Sequence, residues 1–340
     1  RRGIARIGGD VVRRHGLFDD QFVHPDWPRD QLGRWYEAPV AALSFNDNCV
    51  LVKVRPGSRP GAPAQVELVP PLGIFSVKNT AVTTAKSAQQ GVGIGRRAGS
   101  NTIIVTGRIA RATSSVDEWI TVADPLEYFG AALRAALAEE GIAVAGQMRP
   151  ARELPRAGWE PLLTWRSDLL STLEVLNKRS QNFFAESLVK LLAARFCGAG
   201  TWQAGVRLLR DYLVGAGLDS GGFELADGSG MSRGNRLAPR QLTHLLEHMF
   251  HHRWGAEYLR TLPFSGEPEL RWERRLATPP YRGNVLAKTG TLAAVSTLSG
   301  YAKARSGKLY AFSILCNRSA GGAQAQRAQD RIVQAIIDHG

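Results

Sequence analysis

The spacing of hydrophobic residues changes near residue 124, and this change constrains the fold more than any other feature of the sequence. Residues 40–122 contain short β-branched stretches separated by connections rich in Pro, Gly and Asn, which is typical of strands joined by turns. From residue 124 onward, apolar residues recur every three to four positions, which predicts helices. We therefore expect a β-rich region followed by a region of mixed helices and strands.

Within the β-rich region, residues 38–55 alternate between apolar and polar side chains, with Asn46-Asp47-Asn48 in the middle. This pattern predicts a turn between two strands. Further strands are predicted at 72–84 and 101–110.

The mixed region begins with a predicted helix at 124–142, which opens with an acidic residue and a proline and ends at a glycine. Further helices are predicted at about 166–177, 182–195, 202–215 and 239–252, three strands at about 285–291, 295–303 and 308–316, and a closing helix at about 322–338. Helices packed on a terminal three-strand meander define an α/β (α+β) core.

The composition limits the function classes. The net charge of +13 suits a solvated basic surface or an anionic partner, but no run of five basic residues and no nucleic-acid-binding signature accompanies it. The three cysteines lie far apart, and the histidines between 244 and 252 have the spacing of a helix surface, so no metal site is predicted. No apolar run is long enough to predict a transmembrane helix.

Two short motifs indicate chemistry only when they are considered together. Ser180-Gln181-Asn182 lies at the joint between two predicted helices, where Ser180 or Asn182 alone would be an ordinary helix cap. Lys288 interrupts an otherwise apolar strand and is followed by Thr-Gly; alone, it would be an edge lysine that resists aggregation. Ser-x-Asn followed by Lys-Thr-Gly on a strand is the arrangement of β-lactamases and penicillin-binding proteins.

Four segments in the same order extend this similarity over nearly the whole chain: "EAPVAALSFNDNC" (37–49), "NKRSQNFFAESL" (177–188), "LADGSGMSRGNRLAP" (225–239) and "LAKTGTLAAVSTLSGY" (286–301). With these segments the chain resembles the class C low-molecular-mass penicillin-binding proteins, the D-alanyl-D-alanine carboxypeptidase/endopeptidases of the DacB type. The resemblance implies a β-lactamase/transpeptidase-like penicillin-recognising domain, with a β-rich inserted region over 1–155 and the C-terminal part of that domain over 156–340.

The resemblance also implies roles for individual residues. Ser180 would relay a proton, Asn182 would donate its amide to the substrate backbone, and Lys288 would place positive charge near the substrate carboxylate. The implied substrate-binding residues are Thr289, which would bind the same carboxylate, Gly290, which would leave room for close approach, and Thr291, whose backbone would be an oxyanion donor. The implied partners are peptidoglycan stem peptides and β-lactams, in the periplasm or cell envelope, with no metal or organic cofactor.

The chain departs from the family pattern in two places. The middle residue of the second motif is Gln181, where the family usually has Asp. The nucleophile motif Ser-x-x-Lys would lie before Arg1, so we interpret the chain as starting inside the inserted region. Ser187-Leu-Val-Lys190 has the required letters but reads better as an amphipathic helix, and Thr83-Thr-Ala-Lys86 lies in the β-rich region.

Two further segments can be interpreted, and two alternative function classes are left open. Asp227-Gly-Ser-Gly is interpreted as an Asx-type turn that forms one wall of the cleft, and "LPFSGEPEL" (262–270) resembles a family segment only in part. The alternatives are a non-catalytic cell-wall binding module that lacks the nucleophile and, from the charge alone, a nucleic-acid-binding protein; the resemblance implies no nucleic-acid partner. Peripheral membrane association, the oligomeric state and the pairing of Cys49, Cys197 and Cys316 are left open.

Overall fold

The computed structural model describes residues 3–154, 157–270, 272–318 and 322–340. The chain divides into two compact units, one formed by residues 1–160 and 190–201 and the other by residues 161–189 and 202–340. The boundary near residue 155 stays a prediction, because it refers to the inserted region of the resembled family and not to compactness.

The first unit is β-rich, as predicted. Its elements are β1 (Arg6–Ile7), β2 (Val11–Arg14), β3 (Cys49–Arg55), β4 (Gln65–Val69), β5 (Ser76–Asn79), β6 (Val82–Thr84), β7 (Gly91–Arg96), β8 (Thr102–Ala110), β9 (Val116–Thr121), α1 (Pro125–Glu139), β10 (Ala143–Val144) and β11 (Met148–Ala151). One antiparallel sheet has the order β4-β3-β9. In a second sheet, β8 pairs in parallel with β5 and β6 and antiparallel with β7.

One hydrophobic cluster holds these two sheets together. Val50, Val52 and Val54 of β3 alternate along their strand and are fully buried with Ile103 and Val105 of β8. The alternation recognised in the sequence therefore marks the inward face of each sheet.

Helix α1 begins and ends where the sequence predicts. The Asp124 side chain accepts hydrogen bonds from the backbone N–H groups of Leu126 (2.8 Å) and Glu127 (3.0 Å), which is a standard N-cap. Gly141, just beyond the helix, has a φ of +70°, which a glycine adopts without steric strain.

Of the two strands predicted on either side of residues 46–48, the second is observed as β3 and the first is wrong. Residues 38–45 form no strand, and Asn46, Asp47 and Asn48 have φ values of 51°, 52° and 53°, in the left-handed region that Asn and Asp tolerate. The buried Asn48 side chain donates to the carbonyl of Pro39 at 2.8 Å. This side-chain hydrogen bond satisfies the Pro39 carbonyl, which in a paired strand would accept from the backbone of a neighbouring strand.

The second unit has the predicted order of helices, meander and closing helix. Its elements are α2 (Leu169–Lys178), α3 (Asn182–Cys197), α4 (Trp202–Gly215), α5 (Pro239–His251), α6 (Gly255–Thr261), β12 (Val285–Leu292), β13 (Val295–Lys303), β14 (Leu309–Asn317) and α7 (Gly322–His339). The part of α3 from residue 190 onward belongs to the first unit. Helix α6 was not predicted, whereas the mixed α+β class is confirmed.

Helices cover both faces of the antiparallel sheet β12-β13-β14. Val285 and Ala287 of β12 pack with Val333 of α7 on one face. On the other face, Leu286 packs beside Tyr301, whose hydroxyl donates to the carbonyl of Leu246 in α5. Side chains of β12 therefore alternate between the α7 side and the α5 side.

Among the described residues, no helix is both long enough and apolar enough to span a membrane.

Candidate active site

Ser180 occupies the turn between α2 and α3, where the sequence placed the joint between two helices. Its φ of +55° is unusual for a residue other than glycine, and Asn182 begins α3 two residues later. Such a backbone conformation in a non-glycine residue is often found at functional sites.

Lys288 brings the second motif to this turn. Alternation along β12 places its side chain on the same face as Leu286 and Gly290. Its Nζ atom donates to Ser180 Oγ at 2.7 Å and to the carbonyl of Thr289 at 2.8 Å. Two motifs separated by 108 residues in the chain thus meet in one half-buried cluster.

The outer edge of β12 changes character at Lys288. Before it, the edge is occupied, because Ala287 N donates to the Pro263 carbonyl (3.0 Å) and Ser265 N to the Val285 carbonyl (2.9 Å). From Lys288 to the end of the strand, the described part of the chain provides no backbone hydrogen bond on this edge. An extended peptide can pair with such an edge.

The remaining predicted residues lie along this open edge. A Cβ atom on Gly290 would come within 2.5 Å of Thr297 Oγ1, so this position has no room for a side chain. Thr291 is exposed, and alternation places the side chains of Thr289 and Thr291 on the face opposite Lys288. A carboxylate lying at the strand edge can be reached from both faces. The binding roles of these residues stay predictions.

Sequence reasoning missed Glu267, which supports the site. Its Oε1 accepts a hydrogen bond from Lys178 Nζ at 2.8 Å, and its Oε2 accepts one from Phe264 N at 3.0 Å. One carboxylate therefore connects the end of α2 to the segment that pairs with β12. The partners are 89 residues apart, so the sequence carries no local signal for the pair.

Glu186 was also missed, although it lies one helical turn after Asn182. Its side chain is fully buried and accepts hydrogen bonds from Ser229 N (2.7 Å), Gly228 N (3.1 Å) and Trp202 Nε1 (2.8 Å). Burial, followed by the charge of Asp227, raises the pKa of Glu186. The sequence did offer a signal for Glu186, because it is a glutamate on a largely apolar helix and lies within the segment that carries the Ser-x-Asn motif.

Asp227 organises the loop that Glu186 holds. Its carboxylate accepts from Gly230 N (2.8 Å), Ser232 N (2.6 Å) and Asn235 Nδ2 (2.7 Å), which confirms the predicted Asx-type turn. Arg233 of this loop donates to the carbonyl of Ala293, at the turn after β12, at 2.9 Å. The role of the loop as a cleft wall stays a prediction.

The two substitute nucleophile patterns have ordinary structural environments. Lys190 is fully buried, and its Nζ donates to Asp19 Oδ1 (2.7 Å) and to the Gln21 carbonyl (2.6 Å). Ser187 Oγ is buried and has no hydrogen-bond partner among the described residues. Thr83 Oγ1 accepts from Gly57 N at 2.7 Å, and Lys86 is exposed.

The histidines of α5 contact neighbours on α4 and the turn that follows it. His244 Nε2 lies 2.9 Å from the Ala216 carbonyl oxygen, and His248 Nε2 lies 3.4 Å from the Tyr212 hydroxyl. Within the described ranges, no three or more His, Cys, Asp or Glu side chains are grouped so that they could hold a metal ion. Cys49, Cys197 and Cys316 are free thiols.

A helical turn with Ser-x-Asn beside an edge strand with Lys-Thr-Gly is the arrangement of the penicillin-recognising serine enzymes. The chain belongs to the D-Ala-D-Ala carboxypeptidase 3 (S13) family, whose model matches residues 1–337. The resemblance derived from the sequence motifs is thereby confirmed.

Individual relatives agree with this assignment. The chain is 33% identical over 351 residues to a D-alanyl-D-alanine carboxypeptidase of Actinomadura sp. (strain R39), covering 99% of this chain and 64% of that protein. It is 25% identical over 340 residues to the D-alanyl-D-alanine carboxypeptidase DacB of Haemophilus influenzae, covering 98% of this chain and 70% of that protein. The chain thus spans about two thirds of the length of these relatives.

A solved structure shows the fold. The crystal structure of penicillin binding protein 4 (dacB) from Haemophilus influenzae matches with a TM-score of 0.82 and 23% identity, over 99% of this chain and 77% of that one.

Proposed function

We propose that this chain carries the substrate-holding half of a serine-type D-Ala-D-Ala carboxypeptidase/endopeptidase that acts on peptidoglycan peptides and binds penicillin. The observation that carries the proposal is the 2.7 Å contact between Lys288 Nζ and Ser180 Oγ beside an open strand edge. Membership of the S13 family and the names of the relatives support the same activity.

The open edge of β12 would bind the peptide. An extended D-Ala-D-Ala end pairs with the strand from Lys288 onward, and the ammonium group of Lys288 binds the terminal carboxylate together with Thr289. Asn182 donates its side-chain amide to the peptide backbone, and the backbone N–H of Thr291 stabilises the developing oxyanion.

The nucleophile would be the serine of a Ser-x-x-Lys motif other than Ser187-Leu-Val-Lys190, whose lysine is fully buried and hydrogen-bonded to Asp19 and Gln21. Its hydroxyl oxygen forms an ester bond with the carbonyl carbon of the penultimate D-Ala. The peptide C–N bond breaks, and the terminal D-Ala leaves as an amine after it takes a proton relayed through Ser180. Water then hydrolyses the ester and frees the serine.

A β-lactam would enter the same groove. Its ring amide is opened by the serine, and the ring nitrogen stays tethered to the acyl group, so the leaving group cannot depart. The Haemophilus influenzae penicillin binding protein 4 has a structure in complex with a β-lactam. We place the proposed reaction outside the cytoplasmic membrane, where peptidoglycan lies.

Labelling with a fluorescent penicillin tests the proposal on this chain and on a longer gene product that contains Ser-x-x-Lys. We expect labelling of the longer product only, and calorimetry should detect non-covalent binding of a D-Ala-D-Ala peptide to this chain. A longer product that binds the peptide but takes no label would favour the alternative, a cell-wall binding module without a nucleophile.

A further inference from the structure

The sheet around β8 carries an unusual charge distribution. Between Glu67 and Asp117 there is no acidic residue, whereas six basic residues occur: Lys78, Lys86, Arg96, Arg97, Arg108 and Arg111. All six belong to the first compact unit, outside the candidate active site. The excess of positive charge in the chain is therefore partly concentrated on one small structural region.

Five of these six side chains are exposed and make no ion pair or side-chain hydrogen bond within the described part of the chain: Lys78, Lys86, Arg97, Arg108 and Arg111. Arg96 alone turns inward, where it donates to the carbonyls of Leu32 and Ser100. Some other surface cations of the same unit pair with carboxylates, as Arg55 does with Glu67 at 2.6 Å and Arg149 with Asp10 at 2.8 Å.

Strand register brings two of the unpaired cations, Lys78 and Arg108, to one face. Lys78 of β5 pairs with Ile104 of β8, and alternation puts Lys78, Ile104, Thr106 and Arg108 on the outer side of the sheet, where all four are exposed. Lys86 and Arg111 follow the ends of β6 and β8, which are paired through Thr84 and Ala110. We call the outer face of β5 and β8, with these flanking residues, the basic face.

The strand beside β8 adds no side chain to the basic face. The residues of β7 that pair with its outward positions are Gly91, Gly93 and Gly95, so no side chain projects there. An extended polymer can lie along such a surface.

We propose that the basic face binds peptidoglycan through the carboxylates of its stem peptides. Lys78 and Arg108 are about 13 Å apart along the strand direction, from four residues at roughly 3.3 Å each. Cations that are separated in this way can each pair with one of the separate carboxylates of the stem peptides. Charge complementarity provides the attraction. This second site rests on the proposed function for the choice of polymer, and it would keep the enzyme on the wall between cleavage events.

Nucleic acid fits the basic face less well. Each strand of a nucleic-acid duplex carries one phosphate per about 3.4 Å of helix axis, a higher charge density than that of these cations, and single strands are bound by stacking on aromatic side chains. Residues 76–118 contain no Phe, Tyr or Trp. The spacing and the composition both favour a polymer with sparse charges and no bases.

Sedimentation of the chain with purified peptidoglycan sacculi tests the proposal. The patch variant combines Lys78→Gln, Lys86→Gln, Arg108→Gln and Arg111→Gln. The matched control combines Arg207→Gln, Lys308→Gln, Arg327→Gln and Arg331→Gln, four exposed residues of the second unit with no ion pair among the described residues. Both variants carry four positive charges fewer than the chain, and circular dichroism establishes that each is folded.

We expect the patch variant to lose at least tenfold in affinity at low salt, with a shallower salt dependence, and the control to stay within twofold of the unmodified chain. Sacculi whose carboxylates are converted to amides should bind the unmodified chain as weakly as native sacculi bind the patch variant. Equal losses in the two variants, no loss in either, or unchanged binding to amidated sacculi would each overturn the proposal.

Two further measurements separate this site from the proposed activity. In a chain that already carries Lys288→Ala, the four patch substitutions should still lower the affinity for sacculi at least tenfold, because the basic face does not include Lys288. Absence of penicillin labelling in the longer product, with patch-dependent sedimentation intact, would refute only the activity. Binding to phosphatidylglycerol vesicles or DNA without binding to sacculi would refute only the basic-face assignment.

Discussion

Lys288 Nζ lies 2.7 Å from Ser180 Oγ, which joins the edge strand of the second unit to the turn between two of its helices. This contact explains why an ammonium group occurs in an otherwise apolar strand. A half-buried lysine is stable only where polar partners offset its desolvation. Here the Ser180 hydroxyl and the Thr289 carbonyl accept its hydrogen bonds.

Replacement of Lys288 by Ala should weaken binding of a D-Ala-D-Ala peptide to this chain by about ten- to a hundredfold. The estimate follows from the loss of a hydrogen bond to a charged group, worth about 1.5–3 kcal/mol. Calorimetry measures the affinity. Lys303→Ala is the control, since Lys303 is an exposed lysine at the end of β13. Unchanged affinity in a folded Lys288→Ala protein would remove the role assigned to Lys288.

Gly290→Ala should lower the free energy of unfolding by roughly 1–2 kcal/mol, because overpacking a filled position displaces its neighbours. The added Cβ would lie 2.5 Å from Thr297 Oγ1 and 3.8 Å from Thr297 Cβ. Removing the hydroxyl with Thr297→Ala should therefore abolish most of the cost. Urea denaturation of both single variants and the double variant measures the coupling. Additive effects would mean that Thr297 is not what excludes a side chain at position 290.

Apart from α6, the order of elements in the second unit could be predicted because each of the other elements has a local signal. Helix α1 shows the same principle, since Asp124, Pro125 and Gly141 mark its ends within the sequence. The sequence has no local signal that would exclude the wrongly predicted strand before Asn46. Its alternation imitates a strand, and only the tertiary hydrogen bond from Asn48 to Pro39 shows how the backbone is satisfied.

In the candidate site, too, the residues with a local sequence motif were found and those without one were missed. Ser180, Asn182 and Lys288 were found because their motifs are short and contiguous. Glu186 and Glu267 were missed because their partners are distant in the chain, at Gly228, Ser229 and Lys178. A supporting carboxylate is defined by what it contacts, which composition and periodicity do not record.

Replacement of Glu186 by Gln should destabilise the second unit by about 2 kcal/mol or more. The glutamine NH2 group is a donor, and it would face N–H groups that need an acceptor. The affected groups are the backbone N–H atoms of Gly228 and Ser229 and the indole N–H of Trp202. Hydrogen exchange should accelerate at Gly228 and Ser229. Exposed Glu247→Gln is the control. Unchanged exchange at the two amides would show that Glu186 does not hold this loop.

Glu37→Gln should change how stability of the first unit depends on pH. The Glu37 side chain is fully buried, and neither carboxylate oxygen has a hydrogen-bond partner among the described residues. Burial, followed by the charge of Asp30, raises the pKa of Glu37 from 4.5 to about 7. Between these two values the folded protein binds more protons than the unfolded chain, so the free energy of unfolding falls as pH rises.

The total fall should be roughly 3 kcal/mol, from about 1.4 kcal/mol per pKa unit. Glutamine has the same shape and never ionises, so Glu37→Gln should lack this fall and become more stable than the unmodified chain by pH 8. Urea denaturation at pH 5, 6, 7 and 8 measures the difference, with exposed Glu139→Gln as the control. Stability curves that stay parallel across this range would show that Glu37 keeps an ordinary pKa in the folded protein. In that case the buried carboxylate must have a charge-stabilising partner.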